Sequence, residues 1–187
     1  MKYYKLIFDY ENDEQYLLAE PCAVVKDKYA VYEGTVIDDW VPVTFECNPR
    51  NGSVVTEMLG NSYGWPIMSR RAIELLDGAI RNEVQLLPVK VINKDTKEEI
   101  ENYYVLNVLP FLDALDLEHS LHTYFTCGDI KVLSVMKYAL RKEGVENHNI
   151  FRLKESPMSI FVSEHFKRIA EENKMLGLDF LEVKVIS

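Results

Sequence analysis

A chain of 187 residues, 48% hydrophobic and 27% charged, is long enough to enclose a hydrophobic core and too apolar to remain disordered, so one domain over 1–187 is expected. Thirty acids against 21 Lys and Arg leave a net charge of −9, which repels phosphate backbones and argues against nucleic acid as a direct partner. No apolar run approaches the length needed to cross a bilayer, Met1 to Asp9 meets an acid too soon for a signal peptide, and three scattered cysteines form no Cys-x-x-Cys pair. The expectation is a reducing cytoplasm without membrane contact.

Tyr3-Tyr4-Lys5-Leu6-Ile7-Phe8 is rich in β-formers and predicts an opening strand, broken by the acidic loop Asp9, Glu11, Asp13 and Glu14. From Glu20 to Gly64 the residues favour short strands and turns, with Tyr29-Ala30-Val31-Tyr32 as a candidate strand and Asn48-Pro49-Arg50-Asn51-Gly52 as a turn. Ser69 then stands as an N-cap before Ala72, Ile73, Leu75, Leu76, Ala79 and Ile80, whose spacing predicts a helix over about 70–80. Val84 to Ile92 and Tyr103 to Leu109 read as two antiparallel strands around the polar connection Asn93 to Asn102. Pro88 cannot donate to a ladder, which places it at a bulge or an edge.

Asp113 to Ser120 reads as a loop, and Ile130 to Ala139, Asn149 to Leu153 and Pro157 to Val162 as strands. Ser163 caps a second helix over about 164–176, with Phe166, Ile169, Ala170 and Leu176 on one face and Gly177 placed to stop it. Leu178 to Val185 closes as a strand. Few helices, many strands and no strand–helix alternation predict an α+β fold with a mainly antiparallel sheet and two principal helices.

Residues 1–60 hold 11 acids and 5 bases, 61–120 hold 10 and 6, and 121–187 hold 9 and 10, so the negative charge belongs to the first two thirds. Solubility alone explains such a balance in many proteins. Trp40, beside Asp38 and Asp39, is the aromatic best placed to anchor a basic partner, although a Trp with Val and Ile neighbours is more often buried. Arg152, inside an apolar strand, needs a carboxylate or carbonyl partner if it points inward.

Chemistry-bearing motifs are sparse. His119 and His122 have a spacing that brings two imidazoles together on a helix, but no carboxylate or Cys stands beside them in a metal pattern, and exposed loop histidines are the simpler reading. His148 falls in a polar turn and His165 in the first turn of the last helix. Asp38-Asp39 and Glu98-Glu99 are adjacent acids of the kind usually found solvated in loops. There is no Gly-x-Ser-x-Gly elbow, phosphate loop, His-Glu-x-x-His or dinucleotide fingerprint, so no cofactor, metal or catalytic residue is expected.

An ordered set of phrases carries a family resemblance from Trp65 to Glu182. It comprises Trp65-Pro66 with Ser69, Val84 with Leu87-Pro88-Val89, Tyr104-Val105-Leu106-Asn107-Val108, and Asp113-Ala114-Leu115-Asp116 with Ser120. Ile150-Phe151-Arg152-Leu153, Val162-Ser163-Glu164 with Phe166-Lys167, and Gly177 with Phe180 complete it. Together they resemble the immunity proteins of bacterial polymorphic toxin systems, in the class numbered eleven. The resemblance implies a non-enzymatic cytoplasmic inhibitor that protects its producer by binding and occluding a cognate toxin domain.

Such a protein needs shape and charge complementarity rather than a catalytic signature. Residues 1–64, acidic and outside the matched phrases, are then the expected site of partner contacts, through Asp9, Glu11, Asp13, Glu14, Asp38, Asp39 and Trp40, with 65–187 as the immunity-protein-like part. Two other readings predict different structures. A hydrolase using His119, His122, Asp113 or Asp116 requires a pocket joining them, and a self-assembling protein requires an apolar patch repeated about a two-fold axis.

Overall fold

Tyr3–Phe8 (β1) is apolar at nearly every position because both of its faces are covered: Tyr3 enters one core, and Tyr4, Leu6 and Phe8 enter another. The computed structural model describes residues 1–12, 14–100 and 102–187. In chain order after β1 come β2 (Ala19–Pro21), β3 (Val43–Cys47), β4 (Met58–Leu59), β5 (Ile67–Ser69), α1 (Arg70–Ile80), β6 (Val84–Asn93), β7 (Tyr103–Val108) and β8 (Phe111–Leu112). They are followed by β9 (Leu121–Cys127), β10 (Ile130–Lys137), β11 (Ala139–Arg141), α2 (Lys142–Val145), β12 (Ile150–Leu153), β13 (Ser156–Ser163), α3 (Glu164–Glu172) and β14 (Leu178–Ile186).

The strands form two six-stranded sheets, β2-β3-β6-β7-β5-β4 and β11-β14-β1-β13-β12-β8, and a separate β9–β10 ribbon. One core lies between the sheets, where Met68, Leu106 and Val108 meet Tyr4, Leu6, Ile160 and Val162 across the apolar faces of α1 and α3. A second core lies on the far face of the first sheet, around Phe45, Trp65, Val91, Tyr103 and Val105. A third lies on the far face of the other sheet, around Phe151, Phe161, Leu140 and Val145. Successive residues of β7, β12 and β13 therefore enter opposite cores, which explains their unbroken apolar runs. Although β1 comes from the first 64 residues, it lies between β13 and β14 in the second sheet.

The fold is α+β, but its sheets are mixed rather than uniformly antiparallel. β3 runs parallel to β6, β8 to β12 and β11 to β14. The first and last of these pairs are joined through long connections that carry α1 or α3, and such crossovers return the chain in its original direction. Tyr29–Tyr32 is not a strand: Ala30–Tyr32 is a 3-10 turn closed by Tyr32 N–H to Tyr29 O at 2.9 Å, which sends Val31 and Tyr32 into the second core. A third, short helix, α2, follows β11, and β9 adds a strand where none was expected.

Both principal helices begin where their caps predict. The hydroxyls of Ser69 and Ser163 accept hydrogen bonds from Ala72 N–H and Phe166 N–H, each at 3.2 Å. The second helix ends at Glu172 rather than near residue 176. Lys174 takes the left-handed conformation (φ +50°) while Lys174 N–H and Met175 N–H bond back to Glu171 O and Ala170 O, both at 3.0 Å, and Met175 tucks into the core. Gly177, also left-handed (φ +84°), shapes the next turn. There Asp9 N–H reaches Gly177 O and Met58 N–H reaches Leu176 O, each at 3.2 Å, so this turn joins β1 to β4 across the two sheets.

Pro88 sits in β6, which is paired on both sides farther along the strand. Pairing with β3 begins only at Val89, so Val84 to Pro88 lies along a stretch of β6 with no β3 partner, as a proline requires.

Candidate functional site

The open stretch of β6 is covered by part of a 21-residue connection, residues 22–42, between β2 and β3. Connections of that length in compact proteins are uncommon and tend to be functional. Side chains rather than a strand hold this one. Gln85 and Asn107 are cross-strand partners on β6 and β7, and Asn107 Nδ2 donates to Gln85 Oε1 at 2.9 Å. Gln85 then takes the place of a neighbouring strand, accepting from Ile37 N–H at 2.9 Å and donating to Ile37 O at 2.8 Å, while Asn107 Nδ2 donates to Thr35 O at 2.8 Å. Farther on, Trp40 Nε1 donates to Pro88 O at 2.8 Å.

Aromatic packing anchors the rest of the connection. Trp65, 2% exposed, has its ring 5.1 Å from Tyr63, 5.7 Å from Trp40 and 6.0 Å from Phe45, and its indole N–H reaches Lys28 O at 3.0 Å. The Tyr32 hydroxyl donates to Tyr63 O. Arg152 is fully buried against this turn, with its guanidinium carbon 5.1 Å from the Tyr32 ring centre and Nη1 donating to Pro157 O at 2.6 Å. A carbonyl and an aromatic face thus serve where a carboxylate partner was the alternative. Burial pushes the guanidinium pKa down to about 10.

Held in this way, the connection presents a defined surface. Asp38 and Asp39 are exposed, and neither they nor Glu33 form an ion pair among the described residues. Val36 and Val41 flank them in solvent, and Trp40 between them is half-buried and packs against the second core.

The other acidic candidates are organised differently. Burial works against the charge on Asp9, but hydrogen bonds from Asn12 Nδ2 (2.9 Å), the Tyr16 hydroxyl (3.0 Å) and Glu11 N–H (3.1 Å) outweigh it and hold its pKa below the usual value. Its carboxylate is therefore engaged in shaping its own turn. Glu11 and Glu14 are exposed, and Asp13 lies outside the described residues. No hydrogen bond or ion pair among the described residues joins this turn to Asp38, Asp39 or Trp40.

The ribbon of β9 and β10 is a second surface, of which the sequence reading has β10 as a strand and lacks β9. Its signal was present: two runs of aromatic and branched residues separated by Gly128-Asp129, the type of dipeptide that closes a two-residue hairpin, with Gly128 left-handed at φ +61°. Leu133 and Val135 lean on the third core, while Leu121, Tyr124, Phe125, Ile130 and Met136 are exposed.

Of the candidate catalytic groups, only His119 and Asp116 meet. His119 Nδ1 lies 3.0 Å from Asp116 Oδ2, and hydrogen bonds from the His119 backbone and ring hold the Asp116 carboxyl below its usual range. His122 Nδ1 lies 3.2 Å from Ser120 O instead, and Asp113 pairs with Arg141 at 2.7 Å. A cleft of about 410 Å³ lined by Phe8, Leu18, Met58, Trp65 and Ile160 holds none of these four groups. Among the described residues no three His, Cys, Asp or Glu side chains are grouped to hold a metal ion, and no helix is long and apolar enough to cross a membrane.

The family whose model matches this chain is described as an immunity protein family (Imm11), and the match covers residues 7–185. It reaches back over residues 7–64, beyond the Trp65 to Glu182 span that carries the resemblance in the sequence. No curated protein matches the chain.

Proposed function

The chain belongs to the immunity protein family Imm11, and from that premise we propose that it binds a cognate bacterial toxin domain in the cytoplasm of the producing cell and neutralises it by occlusion, without chemistry of its own. The observation that carries this reading is the family match over residues 7–185. An occluding inhibitor needs complementary surface rather than a catalytic cluster, and of the four candidate groups only His119 and Asp116 meet, while His122 bonds to Ser120 O and Asp113 to Arg141.

The partner we propose is a protein with a basic functional surface, met through Asp38, Asp39 and Trp40, with Asp9, Glu11, Asp13 and Glu14 contributing negative field. Exposed carboxylates around an immobilised aromatic combine long-range attraction with an anchor whose ordering is already complete before the encounter. Nucleic acid and membrane are not partners in this account. Titrating the purified chain against the toxin domain encoded beside it is expected to give a stable complex. Asp38→Lys combined with Asp39→Lys should slow association about tenfold or more at low salt, with the difference shrinking as salt rises. An association rate unchanged by that double reversal contradicts the acidic docking surface, and the absence of any complex with the wild-type chain contradicts the function.

A further inference from the structure

Between β3 and β4 the chain makes a 3-10 turn, Pro49–Asn51, closed by Asn51 N–H to Asn48 O at 3.0 Å and by Arg50 N–H to Asn48 Oδ1 at 3.1 Å. Gly52 ends it at φ +143°, where a Cβ would fall 2.0 Å from Tyr16 O, so only glycine fits. The turn leaves both partners of a side-chain-to-backbone reaction free. Asn51 is exposed and its side-chain amide makes no hydrogen bond among the described residues, and Gly52 N–H likewise has no acceptor. Other exposed asparagines differ on the second count. After Asn82, Glu83 N–H donates to Ile80 O at 2.8 Å, and after Asn147, His148 N–H donates to Val145 O at 3.0 Å. Asn48 precedes Pro49, which has no N–H to offer. Asn61 and Asn93 have their side-chain oxygens committed to Trp65 N–H and to Asp95 N–H and Thr96 N–H.

We propose that Asn51 is a modification site at which the chain converts its own amide to a carboxylate, as aspartate or isoaspartate, without an enzyme. Gly52 N, on losing its proton, attacks Asn51 Cγ. The new C–N bond closes a cyclic imide, and the Cγ–Nδ2 bond breaks to release ammonia. Because Gly52 has no Cβ, no side chain stands in the way of the ring. Water then adds to either imide carbonyl. Opening at Cγ restores the ordinary backbone with an aspartate side chain, and opening at the main-chain carbonyl gives isoaspartate. Nothing is oxidised or reduced, and water is the co-reactant. The product adds a negative charge to a chain that already carries −9. Isoaspartate also routes the main chain through Cβ and Cγ, lengthening it beside Gly52. There Ser53 N–H and Val54 N–H bond to Gln15 O at 3.1 and 2.9 Å, and Leu17 N–H bonds to Val54 O at 2.9 Å. The longer linkage therefore loosens the contact between this turn and the segment that follows the acidic turn at Asp9.

The test incubates the purified full-length chain at mildly acidic and at mildly alkaline pH and follows each asparagine by peptide mass spectrometry. A synthetic peptide of residues 46–56 serves as the unfolded reference. Asn51 is expected to lose most of its amide at alkaline pH and little at acidic pH, because the attacking nitrogen must shed its proton, while Asn82 and Asn147 keep theirs. Isoaspartate at position 51 and faster hydrogen exchange at Ser53 and Val54 should accompany the loss, and an Asn51→Gln chain should show neither. If Asn51 keeps its amide through an incubation that converts the peptide, the fold protects the turn and the proposal is wrong. Equal loss at Asn51, Asn82 and Asn147 also contradicts it, because the free Gly52 N–H would then make no difference.

Discussion

Gly177→Ala is expected to destabilise the chain by about 3 kcal/mol or more, lowering its melting temperature by roughly 10 °C. Two effects add. Gly177 has φ +84°, a conformation that carries an intrinsic penalty of about 1–2 kcal/mol for a residue with a Cβ. A Cβ built there also falls 2.2 Å from Met58 O and 3.0 Å from Thr56 Cβ, and the clash is with backbone rather than with the end of a flexible side chain. Moving that backbone disturbs hydrogen bonds from Asp9 N–H to Gly177 O, from Met58 N–H to Leu176 O and from Leu176 N–H to Glu57 Oε2, which tie the two sheets together. Gly78 is the control. It is exposed inside α1, and a Cβ there meets nothing within 4 Å, so Gly78→Ala should stabilise by about 1 kcal/mol. Thermal or denaturant unfolding of the two variants checks both signs, and a Gly177→Ala protein as stable as wild type contradicts this account of the turn.

Trp65→Ala should cost about 3–5 kcal/mol, the range for emptying a large aromatic site in a packed core. The loss extends beyond volume. Trp65 packs against Tyr63, Trp40 and Phe45 and donates to Lys28 O, so its removal releases the connection from Lys28 to Trp40 as well as opening the second core. Trp65→Phe keeps a ring and loses the indole N–H, and a smaller cost follows. Hydrogen exchange should show residues 28–40 losing protection in Trp65→Ala ahead of β7 in the same protein. Uniform loss of protection instead would mean that the aromatic cluster does not specifically order the connection.

These two sites also show why some of the structure was legible in the sequence and some was not. Ser69 and Ser163 could be read as caps because their hydroxyls act on residues three positions away, and the strands around Val105 and Phe161 because burial on both faces leaves continuous apolar runs. Residues 22–42 were opaque because their order comes from Gln85, Asn107 and Trp65, far along the chain. Parallel pairing of β3 with β6 is likewise invisible in either strand alone, because it depends on the path of the crossover between them. At the candidate site, composition alone singles out Asp38, Asp39 and Trp40. The composition could not show that Trp40 is fixed to Pro88 or that the carboxylate of Asp9 is occupied by its own turn. β10 was expected as a strand, but β9 was not, although the turn dipeptide between them was present, because β9 mixes threonines and a histidine among its aromatics and gives no clear alternation.

The surface proposed for partner contact is held by interactions within the chain itself, which suits the proposed capture of a toxin domain. Gln85 and Asn107 fix the acidic connection to the first sheet.

The most direct test of the central claim is survival of a host cell expressing the toxin domain encoded beside this chain, with and without the chain itself. Co-expression is expected to restore growth, with the two proteins recovered as one complex. Continued killing with both proteins soluble, and the domain toxic when expressed alone, would contradict the proposed immunity function.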